Sequence, residues 1–142
     1  MRDRAQPATA LDVADLIGIP FADGGRSASG VDCWGLVMLI YQRIGVTLPD
    51  YAVSAFASAQ IGQVIARDKP KWRAVDAPEP ADVIIMSLDH RLPGVCTHCA
   101  VSLGGTSAIH ALNRLGVHIF RIDGPLWRPK IEGFYRWAGS YA

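Results

Sequence analysis

A cysteine, Cys33, stands in the stretch "GVDCWGLV" (residues 30–37), behind an aspartate and ahead of a long apolar run. A thiol at the mouth of a helix faces unpaired N–H groups and the positive end of the helix dipole. These favour thiolate, and a neighbouring imidazole favours it further. The chain has four histidines, and alternation along the second half selects among them. In "THCAVSL" (97–103), His98, Ala100 and Ser102 share one strand face, and Cys99, Val101 and Leu103 the other. In "SAIHAL" (107–112), His110 lies with Ala108 and Leu112.

The register of this hairpin decides whether His98 and His110 meet. A three-residue loop, Gly104 to Thr106, pairs Leu103 with Ser107 and Ala100 with His110. The two histidines are then diagonal neighbours on one face, within side-chain reach. A two-residue loop sends them to opposite faces. The first register assembles a thiol nucleophile (Cys33), a base (His98, within ~4 Å of the sulfur) and an orienting group (His110). The backbone N–H of Cys33 is then the natural oxyanion donor. Taken singly, each residue has an ordinary structural explanation.

The elements that must place these residues follow from periodicity and caps. Asp32 caps a helix that begins at Cys33, and Gly45 takes the left-handed position beyond its end. Between them Cys33, Val37, Ile40 and Ile44 form one stripe. Leu11, Ala14 and Ile17 predict a shorter helix over 9–17, with Thr9 as its cap. "FADGGRSASG" (21–30) reads as loop, and a third helix is expected over 53–67. Lys69, Lys71 and Arg73 read as a solvated loop. "APEPAD" (77–82) is a turn before the central strand "VIIMSL" (83–88). "VHIFRI" and "IEGFYRW" are further strands. Helices first and antiparallel strands afterwards define an α+β domain.

With 142 residues, the chain is expected to form a single domain, 1–142. Half its residues are hydrophobic, 19% are charged and the net charge is +1, which gives no footing for nucleic acid. No apolar run reaches the ~20 residues of a membrane span. The N-terminal residues do not form a secretory signal, so synthesis in the cytoplasm is expected. Three cysteines make an odd number and no disulfide framework. Cys96-Thr97-His98-Cys99 has metal-like spacing but no second ligand pair, so no zinc is expected and Cys96 and Cys99 read as small apolar fillers. His90 falls in a loop and His118 on an outer strand, and neither is given a role.

The order of these motifs resembles the NlpC-type cell-wall peptidases, compact papain-like cysteine enzymes. "LIGIPF", "GVDCWGLV", "LPDY", "PEPADVIIM", "THCAVSLGGTSAIHA" and "GFYRW" carry the resemblance over roughly residues 11–137. Trp34 and "LPDY" look most like the branch found in phage tails and gene transfer particles. Carried over by position, Cys33 is the nucleophile, His98 the base and His110 the orienting residue. Phe21, Asp32 and Trp34 are the candidate substrate contacts, Asp32 reading first as the helix cap and Trp34 as core or groove wall. Phe21 stands where many relatives have tyrosine or tryptophan, and Ala81 where a glycine usually precedes the aspartate.

The resemblance implies cleavage of an amide bond in peptidoglycan stem peptides, without metal or organic cofactor. It also implies tail proteins as partners and delivery to the wall on a particle. A structural tail component with weak or lost activity, and a thiol-dependent acyl or amide transferase, are the alternatives.

Overall fold

A computed structural model describes residues 11–51, 71–88, 91 and 97–139. The expected helix over 53–67, Thr9, Lys69, His90 and Cys96 lie outside these residues. Among the described residues the one α-helix is α1 (Cys33–Arg43). It follows a two-stranded ribbon, β1 (Arg26–Ser27) and β2 (Gly30–Val31). After it come β3 (Trp72–Val75), β4 (Val83–Met86), β5 (His98–Gly104), β6 (Ser107–Leu112), β7 (Gly116–Arg121) and β8 (Ile131–Trp137). These six form an antiparallel sheet in the order β3-β8-β4-β5-β6-β7. The architecture is α+β.

Helix α1 starts and stops where its caps dictate. The Asp32 carboxylate accepts the Gly35 N–H at 2.8 Å, and Gly45, at φ +86°, carries the chain out of the helix. Trp34, Leu36, Val37, Ile40 and Tyr41 are buried against the sheet. Val83, Ile85, Cys99, Val101, Ile109 and Ala111 meet them, at roughly 1.5–3 kcal/mol for each large side chain removed from water. The opposite sheet face carries a second core of Ile84, Met86, Ala100, Ala108 and Phe120. With both faces covered, β4 is apolar at every position and buried at each, as a central strand must be.

Three expectations need correction. The segment expected as a helix over 9–17 is, in its described part, a single 3₁₀ turn, Ala14–Leu16. It buries Leu16 but is far too short to repay helix nucleation, and Gly18 at φ +94° ends it. Part of the loop 21–30 is the β1–β2 ribbon. The Lys71–Arg73 stretch runs into edge strand β3 rather than a loop. Trp72 is buried there while Arg73 stays exposed, a charged edge of the kind that discourages further strand pairing.

The turn into β4 stores strain. Ala81 has φ +78°, a left-handed conformation that costs a residue with a Cβ roughly 1–2 kcal/mol. The strain is held in place from both sides. Tyr41 of α1 donates its hydroxyl hydrogen bond to the Ala81 carbonyl. Buried Asp82 accepts the Glu79 N–H and both arms of the Arg136 guanidinium, at 2.7–2.9 Å. Ala81→Gly removes the strain at the loss of one buried methyl, worth about 0.8 kcal/mol. It is expected to stabilise the fold by about 0.5–1 kcal/mol, read as a raised denaturation midpoint. A lowered midpoint would show that the methyl contacts outweigh the backbone strain.

Candidate active site

Two local devices set the nucleophile's position. Arg26 on β1 reaches Asp32 at 2.7 Å and the Gly25 carbonyl at 2.9 Å, while the Gly24 N–H gives Asp32 a further bond at 2.9 Å. Gly35 lets the first turn of α1 rest on this loop, because a Cβ there would lie 2.0 Å from the Gly25 carbonyl oxygen. The mouth of α1, with Cys33 as its first residue, is thereby clamped to the chain that precedes it.

The hairpin reaches the expected register by another route. Ser102 pairs with Ala108, but Ser107 pairs with Gly104, so Leu103 is an extra residue on β5. The turn holds only Gly105 and Thr106, and the bulge at Leu103 restores the parity that a two-residue turn alone would have inverted. Gly104 (φ +96°) and Gly105 (φ +58°) supply the positive φ, and Ser102 Oγ accepts the Gly104 N–H at 3.1 Å. His98 and His110 consequently share a face, with His98 Nε2 3.0 Å from His110 Nδ1.

Cys33 lies beside His98 and Cys99, the first two residues of β5, and both act on its thiol. The alternation of the strand permits both contacts because the sulfur sits at its beginning rather than over its middle. Cys99, then His98 with its charge, hold the Cys33 thiol well below the ordinary thiol range, against burial and the Asp32 carboxylate. Burial and the neighbouring Cys33 push the Cys99 thiol well above it. Of the two, Cys33 is the one at the helix N-terminus beside an imidazole, the setting that favours the thiolate form. Cys99 is fully buried in the apolar core, as a small filler is expected to be, and it also neighbours Cys33.

His110 has no exposed surface. Its ring lies against Phe120 at 4.1 Å and Trp127 at 5.0 Å between centroids. Burial, reinforced by His98 and His118, pushes its pKa down to about 2, so the ring is neutral. Its Nε2 lies 3.0 Å from Nε2 of His118, which stands directly opposite on β7. Sequence reasoning gave His118 no role. The signal was available, since "VHIFRI" alternates and the short turn 113–115 sets Leu112 opposite Gly116, hence His110 opposite His118.

The remaining candidates have structural partners. Asp32 is 1% exposed and its carboxylate is taken up by the cap and by Arg26. Trp34 has no exposed surface; it donates Nε1–H to the Pro49 carbonyl and packs with Tyr51 and Trp72. Phe21 is half-buried, bridged to Val31 two residues before the thiol, and of the three keeps the most surface. Cys33 itself is only 3% exposed, less open than a reactive cysteine is expected to be. Among the described residues no three metal-ligating side chains converge, and no helix is long and apolar enough to cross a membrane.

A thiol at a helix mouth thus stands beside a histidine on the first residue of an antiparallel strand. The chain belongs to the NlpC/P60 family, which it matches over residues 18–136. It is 30% identical over 95 residues to a Mycobacterium tuberculosis protein named "Probable endopeptidase", spanning 67% of this chain and 20% of that one. It is 23% identical over 118 residues to the Escherichia coli "Murein DD-endopeptidase MepS/Murein LD-carboxypeptidase", spanning 82% of this chain and 55% of that one. The crystal structure of an NlpC/P60 family protein from Bacillus cereus superposes with a TM-score of 0.64 at 25% identity, over 93% of this chain and 42% of the other. The chain thus spans between a fifth and about half of the curated relatives' length.

Proposed function

We propose that the protein is a cysteine peptidase, a single domain over residues 1–142, that hydrolyses an amide bond in peptidoglycan stem peptides. The observation that carries this reading is the placement of Cys33 at the mouth of α1 beside His98, whose Nε2 is engaged by His110. The endopeptidase names of two relatives, one a murein enzyme, support the substrate class. In this reading His98 takes the Cys33 proton and the thiolate attacks the amide carbonyl. The Cys33 N–H, which has no partner within the helix, faces the resulting oxyanion. His98 then gives its proton to the departing amine, and water cleaves the thioester to release the acid and the free thiol. Phe21 is the surface proposed to meet the peptide, beside the helix mouth.

Digestion of purified peptidoglycan, with mass analysis of the fragments, tests the reaction. The expected product set shows one amide opened with the uptake of one water. Fragments rejoined to an added amine would identify a transferase, and an undigested sample would favour a structural role. The finer setting, a component of a phage or phage-like tail, rests on the resemblance of "DCWG" and "LPDY" to that branch. Blotting of purified particles for this chain is expected to find it there; its presence only outside particles would overturn delivery by a tail.

A further inference from the structure

Three histidines on three successive strands, β5, β6 and β7, are bonded in line: His98 Nε2 to His110 Nδ1, and His110 Nε2 to His118 Nε2. The line ends on a backbone carbonyl, with His118 Nδ1 3.1 Å from Gly116 O. A carbonyl oxygen can only accept, so this end has a fixed polarity. In its neutral form His118 therefore carries its proton on Nδ1 and presents a lone pair at Nε2. That lone pair requires an N–H on His110 Nε2, and the neutral His110 then presents its own lone pair at Nδ1. His98 must accordingly donate from Nε2, which leaves its Nδ1 for the thiol.

We propose that His118 is a positioning residue: it transmits the polarity of the Gly116 carbonyl through His110, so that His98 keeps its Nδ1 turned to Cys33 as a base. The direction holds through the proton transfer. When His98 becomes imidazolium it still donates from Nε2, and His110 can still accept. With the other His110 tautomer, two N–H groups would face each other across 3.0 Å and the thiolate–imidazolium pair would be lost. Neutrality of His110 is what gives its two nitrogens opposite roles. The ring is sealed between Phe120 and Trp127, so water does not supply the missing acceptor. The same linear geometry is unlike a metal site, where three rings converge on one point.

The inference deepens the peptidase reading and rests on it for kinetics only. Nitrogen-15 NMR of the unliganded wild-type protein reads each tautomer directly. The expected pattern is protonated Nδ1 on His118, protonated Nε2 on His110 and a bare Nδ1 on His110; a protonated His110 Nδ1 overturns the proposal whatever the protein cleaves. In His118→Leu, His110 should sample both tautomers, the Cys33 thiol should lose acidity, and kcat should fall about 10- to 100-fold with KM little changed. His118→Gln offers a carbonyl oxygen near the position of Nε2 and is expected to keep the His110 tautomer and to recover kcat to within about threefold. A folded His118→Leu protein with wild-type thiol acidity and kcat would show the residue to be packing alone. If the leucine variant fails to fold, the wild-type spectrum and the glutamine variant still decide.

Discussion

Cys33→Ala is expected to abolish peptidoglycan cleavage, with kcat falling on the order of 10⁴-fold or more, while the folded state is retained. The size follows from losing the atom that forms the covalent intermediate: binding and oxyanion contacts alone cannot replace it. Retention of the fold follows from the site's construction. Asp32 still caps α1, Arg26 still braces the cap, and Leu36, Val37 and Ile40 still fill the core. A buried thiolate is replaced by a methyl, so the thermal midpoint should stay level or rise. Cys33→Ser should be nearly as inactive, since a hydroxyl beside His98 is a much weaker nucleophile at neutral pH. The assay is fragment release from purified peptidoglycan, with near-ultraviolet circular dichroism as the folding control. An alanine variant that retains a tenth or more of the activity would place the nucleophile elsewhere.

The second large effect is on stability in acid. In the unfolded chain His110 takes up a proton as the pH falls through about 6.5. In the folded protein burial holds the ring neutral down to about 2. Below pH 6.5 the unfolded state therefore binds more protons, and stability falls as the pH falls, by up to about 1.4 kcal/mol per pH unit. Between pH 6.5 and 4.5 this one ring should remove roughly 2–3 kcal/mol, a large share of an ordinary domain's stability. Denaturant midpoints at pH 7, 6 and 5 for the wild type and His110→Asn measure it. The wild type should lose stability faster than the variant across this window. Parallel slopes would mean that the folded protein protonates His110 as readily as the unfolded chain does.

How much of this was legible in the sequence varies from element to element. Helix α1 was readable because both ends carry side-chain or glycine signals and its apolar stripe has the right period; the structure starts it at Cys33 with Asp32 as cap. The shared face of His98 and His110 was readable through alternation, but the device that secures it was not. A two-residue turn plus a bulge and a three-residue loop give the same pairing at Ala100, and only coordinates separate them. Edge strand β3 was missed because two exposed basic residues flank Trp72, and an edge strand has one side in water to accommodate them. The 3₁₀ turn at Ala14–Leu16 shows the reverse error, a helical period too short to nucleate.

Cys99 and His118 share a further lesson. Each was judged by its own strand and not by what the neighbouring element sets opposite it. Cys99 faces the apolar side of β5, and that side is where the mouth of α1 comes to rest. His118 looks like an outer-strand residue until the β6–β7 register places it across from His110. Cross-strand partners can be read from turn lengths, whereas the helix's resting place depends on tertiary packing that no local pattern contains.

The most direct test of an activated Cys33 is the acidity of its thiol, followed by the ultraviolet absorbance of the thiolate against pH, wild type minus Cys33→Ala. This readout needs no substrate and no reagent able to reach a sulfur that is 3% exposed. The placement of Cys99 and His98 beside the thiol predicts a midpoint well below the ordinary thiol value of about 8.5. A difference titration centred at or above 8.5 would show that neither partner stabilises the thiolate, and would contradict the site described for this chain.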